Sequence, residues 1–109
     1  MNQEVFDDLV SVRCEKIKQV LANKAKEYAR GDRLSNFKRA AAAMSCTPAQ
    51  VLAGMWMKHI ISIIDLINDQ ANGKHADLRM WDEKITDAIN YLVLLEGLLE
   101  DATCERIGS

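Results

Sequence analysis

An all-α fold resembling a four-helix bundle, with three long helices and one short one, is predicted for this chain of 109 residues. Apolar residues recur at three- and four-residue steps along most of the chain, which is the period of an amphipathic helix. The chain has one proline and five glycines, so the turn signals that would separate short strands are few. Apolar residues make up 49% of the chain, enough for one packed core, and the length predicts a single domain over residues 1–109.

The first helix is expected from about Gln3 to Ala29, followed by Gly31, since glycine commonly follows the end of a helix. Its apolar positions keep the helical period along its whole length: Phe6, Leu9, Val10, Ile17, Val20, Leu21 and Tyr28. Residues 32–36 are then expected to form a connector to the second helix.

A short second helix is expected over residues 36–44, because it contains four successive alanines, and alanine is the best helix former. The clearest boundary in the sequence follows it. Thr47 is a good N-cap, Pro48 suits the first helical position, and Gln50 completes a capping box. The third helix is therefore expected to begin at Pro48 and to run to about Gln70.

The last helix is predicted after a polar loop, residues 71–76, with Asp77 as its N-cap, and it should extend to about Cys104. Its apolar residues form a stripe with heptad-like spacing: Trp81, Ile85, Ala88, Leu92, Leu95 and Leu99. Further apolar residues widen this stripe beyond what one neighbouring helix can cover: Ile89, Tyr91, Leu94 and Leu98.

The third helix carries more apolar surface than one small chain can bury. Its polar residues form one narrow stripe: Lys58, Ser62, Asp65 and Asp69. A surface helix normally keeps a broad polar face, so this helix should be buried on most sides. Because four helices of this size cannot surround two such helices, we expect a second subunit to bury the surplus in an isologous dimer or a larger homo-oligomer.

Charge and cysteine content exclude several classes of protein. The net charge is −2 and the pI is about 5.6, without the basic block of a general nucleic-acid binder. Three widely spaced cysteines match neither a disulfide framework nor a zinc site. The N-terminus is acidic where a secretory signal would be basic, and polar residues such as Lys58 and Asp65 interrupt the apolar run from Val51 to Ile67. We therefore expect a cytoplasmic protein with no membrane span.

The acidic residues of the last two long helices suggest a metal site. Asp65 and Asp69 on one helix could face Glu83 and Asp87 on the next. Carboxylates brought together repel one another, and Mg²⁺ relieves that repulsion by taking oxygen ligands. Such an ion could hold a triphosphate and position a water molecule for attack. The alternative is that each polar stripe is the solvated edge of an amphipathic helix, with Lys58 paired to Asp65 for little energy.

Several short motifs, taken in order, resemble one known family. They are Lys24 to Tyr28, Asn36-Phe37, Met57 to Ile63, and Glu83 to Tyr91, the last containing Asp87 and Asn90. Over roughly residues 20–100 the chain resembles phage and prophage proteins of the nucleotide-modification-associated type. These are similar to the MazG-like, all-α nucleoside triphosphate pyrophosphohydrolases.

The resemblance implies a MazG-like helical bundle that oligomerises and binds a nucleotide. It also implies Mg²⁺-dependent cleavage of an NTP or dNTP to the monophosphate and pyrophosphate. The resemblance assigns Glu83 and Asp87 to the family's acidic motif and Glu27 to the acid at the end of the first helix. Together with Asp65 from the polar stripe, Glu83 and Asp87 would be catalytic, and the same three would bind Mg²⁺ together with Glu27. The residues implied to contact the nucleotide are Lys58, Lys24, Tyr28, Asn36, Asn90 and Tyr91.

The chain departs from the MazG-like pattern on the earlier acidic helix. Where those enzymes carry a glutamate-rich motif, this chain has residues 58–62 without an acid, and Asp65 beyond them. Glu83 and Asp87 are spaced by four residues, whereas the family's later motif spaces its acids by three. An alternative therefore stands beside the enzyme: a non-catalytic helical oligomer that sequesters a nucleotide, binds a protein partner in phage counter-defence, or has a structural role.

Two other interpretations depend on single segments. Residues 37–51 have the spacing of a helix-turn-helix, but the second helix offers neither arginine nor asparagine to base edges, so DNA binding is not expected. Trp56 and Trp81 are expected to be core anchors rather than base-stacking platforms. His59 lies on the apolar side of its helix and is expected to be a core histidine.

Overall fold

The protein is all-α, as the sequence predicts. A computed structural model describes the backbone of residues 1–27 and 34–108 and the side chains of residues 1–22 and 34–104. Four helices follow one another along the chain, α1 (Gln3–Glu27), α2 (Ser35–Met44), α3 (Pro48–Ala71) and α4 (Leu78–Gly108). The described residues contain no strand. The chain divides into two compact units, Met1–Arg33 and Leu34–Ser109, and the single-domain organisation stays a prediction.

The first unit consists of α1. Asn2 begins this helix, because its side-chain Oδ1 accepts a hydrogen bond from the Val5 N–H at 2.9 Å and so satisfies one of the free amides of the first turn. Glu4 lies in that turn, where a negative charge favours the helix dipole. The helix is described to Glu27, and the predicted end at Ala29 and the predicted Gly31 cap lie outside the described residues.

The second helix begins one residue earlier than expected, at Ser35, and buries Phe37 and Ala41. It ends at Met44 as expected, but the conformation of the residue that follows was not predicted. Ser45 takes a left-handed conformation, with φ 55° and ψ 45°, and its N–H donates to the Ala41 carbonyl. A residue with a side chain is strained in this conformation, which glycine adopts without penalty. The short connector to α3 therefore depends on a strained serine.

The predicted start of α3 is confirmed in detail. The Thr47 Oγ1 accepts the Gln50 N–H at 3.1 Å, and the Gln50 Oε1 accepts the Thr47 N–H at 2.9 Å. This reciprocal capping box satisfies two backbone donors, and Pro48 occupies a position that needs none. At the other end, Gly73 has φ 84° and the Lys74 N–H donates to the Asp69 carbonyl at 2.8 Å, so the chain turns sharply out of the helix.

Asp77 caps α4 as predicted, since its Oδ1 accepts the Met80 N–H at 2.8 Å. The helix continues to Gly108, a full turn beyond the expected end at Cys104. The short polar loop between α3 and α4 brings the two helices together as antiparallel neighbours.

The core of the second unit lies where α2 packs on α3 and α3 packs on α4. One residue from each of these three helices is buried in this core: Phe37, Leu52 and Leu98. Partly buried apolar side chains surround them: Leu34, Val51, Trp56, Tyr91, Leu94 and Leu95. Trp56 thus packs against the core, as expected.

An ion pair joins α2 to α4, since Lys38 Nζ and Asp101 Oδ2 lie 2.7 Å apart.

Most of α3 is exposed within the described residues, although the sequence predicts burial on most sides. Leu52 is the helix's one buried side chain, while Met57, Ile61 and Ile64 are 48%, 52% and 49% exposed. The packing of α2 and α4 covers part of α3 and leaves the remaining surface exposed within the described residues. By length and composition alone, α3 is also apolar enough to cross a bilayer, a criterion that core helices of soluble proteins meet as well.

Candidate functional site

The three predicted catalytic acids lie on two helices of the second unit. Asp65 is exposed on α3, Glu83 is exposed near the start of α4, and Asp87 is partly buried one turn further along α4. Glu83 Oε1 lies 3.8 Å from Arg79 Nε, a loose pair on the helix surface. Among the described residues, no three side chains of the types His, Cys, Asp and Glu lie close enough together to hold a metal ion.

The described acids of one chain therefore do not gather into one metal-ligating group. The cause is the rotation of α3. Asp65 lies roughly 120–180° around the helix from the residues that face α4, among them Leu52 and Trp56. Its carboxylate is thus on the outside of the helix pair, whereas Asp87 is on α4 close to the packed side. The roles of Asp65, Glu83 and Asp87 in binding magnesium stay predictions.

Three further predicted site residues belong to the end of the predicted first helix, beyond the side chains that the structure describes. Tyr28 lies outside the described residues, and the side chains of Lys24 and Glu27 are not among those described. Their predicted contacts with nucleotide or metal stay predictions. Asn36, predicted to contact the nucleotide, is exposed in the first turn of α2.

Lys58 lies on an exposed polar edge of α3 together with Ser62, Asp65 and Asp69. We refer to these four residues as the polar edge. Neither Lys58 nor Asp65 forms an ion pair with another side chain of the described part of the chain, so the expected pair between them is not formed. The polar edge instead has unpaired charges facing outwards.

His59 and Tyr91 connect α3 to α4. Their ring centroids lie 4.9 Å apart and the rings are tilted by 43°, a favourable offset geometry for two aromatic rings. Both side chains are partly buried, and Tyr91 also packs against the core. His59 is thus a packing residue between the helices, close to the core role expected for it.

Among the predicted site residues whose side chains the structure describes, Asn90 alone is buried, at 4% exposure. No described residue forms a hydrogen bond to either end of its side-chain amide, and the buried Nε1 of Trp56 also lacks a partner. Leaving a buried polar group unpaired costs about 1–3 kcal/mol. These polar atoms are therefore available to a bound water molecule or a ligand.

An apolar groove of about 510 Å³ lies along the C-terminal part of α4. We call it the α4 groove, and its lining residues are Leu92, Leu95, Glu96, Leu99, Glu100, Thr103 and Cys104. Leu92 and Leu99 are each about half exposed. The heptad-like stripe in the sequence predicts this surface, since Leu92, Leu95 and Leu99 belong to it.

The exposed side of α3 carries a regularly spaced row of residues that was not predicted from the sequence. Six residues follow one another at alternating steps of three and four along the side of α3 roughly 150° away from α4. We call this row the α3 seam, and its members are Gly54, Met57, Ile61, Ile64, Asn68 and Ala71. The signal was present in the sequence, but the apolar residues facing α4 concealed it until the packed side of the helix was known.

The chain matches no family model, no curated protein and no solved structure, so its site is defined by its own residues alone.

Proposed function

We propose that this protein is a self-associating α-helical module that acts through contacts between its copies rather than through catalysis. The observation that supports it is the apolar surface of α3, where the side chains of Met57, Ile61, Ile64 and Ile67 are each about half exposed. A contiguous apolar patch of this kind on a small protein marks an interaction site. The α4 groove adds a second apolar surface to the same unit.

The magnitude of burial limits how tightly the copies can associate. Full burial of an Ile or Met side chain contributes about 1.5–3 kcal/mol, so covering the exposed half of each contributes about 1 kcal/mol. Four such residues on each of two copies contribute about 8 kcal/mol, against an association cost of about 4–15 kcal/mol. The α3 surface alone therefore supports a weak dimer, and a stable oligomer also needs the α4 groove.

Sedimentation velocity of the full chain over a wide range of concentrations tests this proposal. We expect the weight-average mass to rise with concentration above that of the 12.3 kDa monomer. Ile61→Asp should abolish the rise by placing a charge in the apolar surface. Leu78→Asp is the matched control, since Leu78 is 85% exposed and outside both surfaces. A chain that remains monomeric at the highest concentrations would refute the proposal.

A second candidate is the Mg²⁺-dependent pyrophosphohydrolase, acting on an NTP or dNTP. The specific observation in its favour is the buried, unpaired amide of Asn90, one of the residues that the resemblance assigns to nucleotide binding. The described acids of one chain lie apart, so in this candidate the remaining ligands come from outside the described residues, and we propose a second copy as their source. Its activity should then increase with oligomer formation.

Release of pyrophosphate from a panel of nucleotides, with and without Mg²⁺, tests this candidate. Glu83→Gln and Asp87→Asn should each abolish turnover, while Asp8→Asn, at an exposed position of α1 outside both apolar surfaces, should leave it intact. Calorimetry on the same nucleotides distinguishes the remaining possibilities. Binding without turnover indicates a non-catalytic nucleotide-binding oligomer, and the lack of both binding and turnover excludes a nucleotide function.

A further inference from the structure

We propose that two copies of this chain pair through their α3 seams in an antiparallel arrangement, about a twofold axis between residues 62 and 63. In this arrangement Lys58 of each copy lies between Asp65 of the partner subunit and Asp69 of the partner subunit. The inference rests on the proposed self-association and specifies the surface, the direction of the helices and the charges that select that direction.

The spacing of the α3 seam is that of a coiled-coil contact. Alternating steps of three and four keep one row of side chains facing a partner helix. The largest residues, Met57, Ile61 and Ile64, occupy the middle of the row, and Gly54 and Ala71 lie at its ends. Apart from the adjacent residues and backbone of α3, no described atom lies within 4 Å of the position that a Cβ on Gly54 would take, so the backbone is open to close approach there.

The antiparallel register matches these sizes. With the axis between residues 62 and 63, Ile61 meets the partner's Ile64, and the two large side chains fill the centre. Met57 then meets the partner's Asn68, and Gly54 meets the partner's Ala71 at each end. The narrow end layers let the helices approach closely, and the amide of Asn68 lies towards the solvent-exposed end of the contact.

The flanks of the α3 seam select the antiparallel direction. The polar edge lies on one side of the seam, and Ile60 and Ile67 lie on the other. In an antiparallel pair like meets like: the two polar edges meet on one flank and the isoleucines pack together on the other. In a parallel pair each polar edge would lie against the partner's isoleucines, which would bury charge against apolar surface.

Charge complementarity follows from the same register. At a rise of 1.5 Å per residue, Lys58 lies about 3 Å along the axis from the partner's Asp65 and about 3 Å from the partner's Asp69. Twofold symmetry repeats this contact, so the dimer gains two such clusters. Because Lys58 and Asp65 pair with no other side chain that the structure describes, both charges are available for it.

A lipid surface fits α3 less well than a second copy does. The polar edge places three charged side chains, Lys58, Asp65 and Asp69, beside the α3 seam, and charges within a bilayer are costly. Two of the three are acidic and would be repelled by anionic lipids. A second copy of α3 satisfies both the apolar row and the charges beside it.

A charge-reversal pair tests the direction and the register together. Lys58→Glu in one chain, and Asp65→Lys combined with Asp69→Lys in another, should each weaken self-association by about tenfold or more, since each places like charges together twice. Mixing the two variants should restore dimerisation, because every contact across the mixed interface again joins opposite charges. Circular dichroism of each variant verifies that it is folded.

Disulfide trapping provides the geometric control, in a background with Cys14, Cys46 and Cys104 replaced by serine. Chains carrying Met57→Cys should cross-link to chains carrying Asn68→Cys. Asn68→Cys alone should not cross-link to itself, because the two copies of residue 68 lie about 16 Å apart along the axis of the antiparallel pair. Self-cross-linking at residue 68 would overturn the antiparallel assignment in favour of a parallel one.

Failure of this inference and failure of the proposed function give different results. A chain that is monomeric at all concentrations refutes both. An oligomer that is unaffected by either charge reversal refutes the α3 pairing and leaves association through the α4 groove. Co-sedimentation of the wild-type chain with phosphatidylcholine vesicles, lost in Ile61→Asp, overturns the inference in favour of a lipid surface.

Discussion

The contrast between a buried and an exposed apolar residue of α3 gives the sharpest test of this structure. Leu52 is 2% exposed at the centre of the core, whereas Ile61 is 52% exposed on the opposite side of the helix. Truncating a fully buried leucine to alanine costs about 3–5 kcal/mol through lost burial and the cavity left behind. A unit of this size has a free energy of unfolding of about 4–11 kcal/mol. Leu52→Ala should therefore remove a large part of this stability and bring the unit close to unfolding.

Ile61→Ala should behave differently. Half of its side chain is covered within one chain, so its truncation should cost about 1–2 kcal/mol in the monomer. A second cost of similar size should be added only at protein concentrations where copies associate, because the partner then buries the other half of the side chain. Leu52→Ala should lower the free energy of unfolding by the same amount at low and at high protein concentration, because Leu52 is buried within one chain whether or not copies associate.

Urea unfolding followed by far-ultraviolet circular dichroism, at low and high protein concentration, measures both effects. Leu78→Ala is the control, because a side chain that is 85% exposed contributes little in either state. The reasoning is refuted if Ile61→Ala costs as much as Leu52→Ala at the lowest concentration. That result would mean that Ile61 is already buried within the single chain.

Three further changes have expected outcomes that thermal and chemical unfolding can measure. Ser45→Gly should stabilise the protein by about 1 kcal/mol, since glycine adopts positive φ without strain; a loss of stability would contradict this. Thr47→Ala should lower the free energy of unfolding by about 1 kcal/mol by breaking the capping box, whereas Thr47→Ser should retain most of the stability that the capping box contributes. Asn90→Leu should leave stability equal or higher by removing an unpaired buried amide, and should abolish nucleotide binding if Asn90 is a ligand; a marked loss of stability would indicate that the amide is satisfied.

The helix boundaries that were best predicted from the sequence are those that depend on hydrogen bonds between residues close in the chain. Thr47 and Asp77 cap α3 and α4 because their side chains reach backbone amides a few residues away, and no distant contact is needed. The end of α2 at Met44 was also predicted, but the left-handed conformation of Ser45 after it was not. Serine has no intrinsic preference for this conformation, so the sequence carries no local signal for it.

The relative placement of the acidic side chains was harder to predict because it depends on how the helices rotate about their axes. The sequence places Asp65 and Asp87 on the correct helices, but periodicity alone leaves open which side of α3 faces α4. Packing of Leu52, Trp56 and His59 towards α4 settles that rotation and directs Asp65 outwards. The same information separates the α3 seam from the buried face, and this separation is what the composition of the helix concealed.

The thiol at the edge of the α4 groove offers a way to observe that surface directly. Cys104 is exposed and lines the groove, whereas Cys46 is partly covered and Cys14 is on α1. In a chain that retains Cys104 as its sole cysteine, the rate of alkylation by a maleimide reports access to the groove. A second copy, a peptide or an apolar small molecule placed there would slow the modification, so the occupant of this surface can be screened without knowing its identity beforehand.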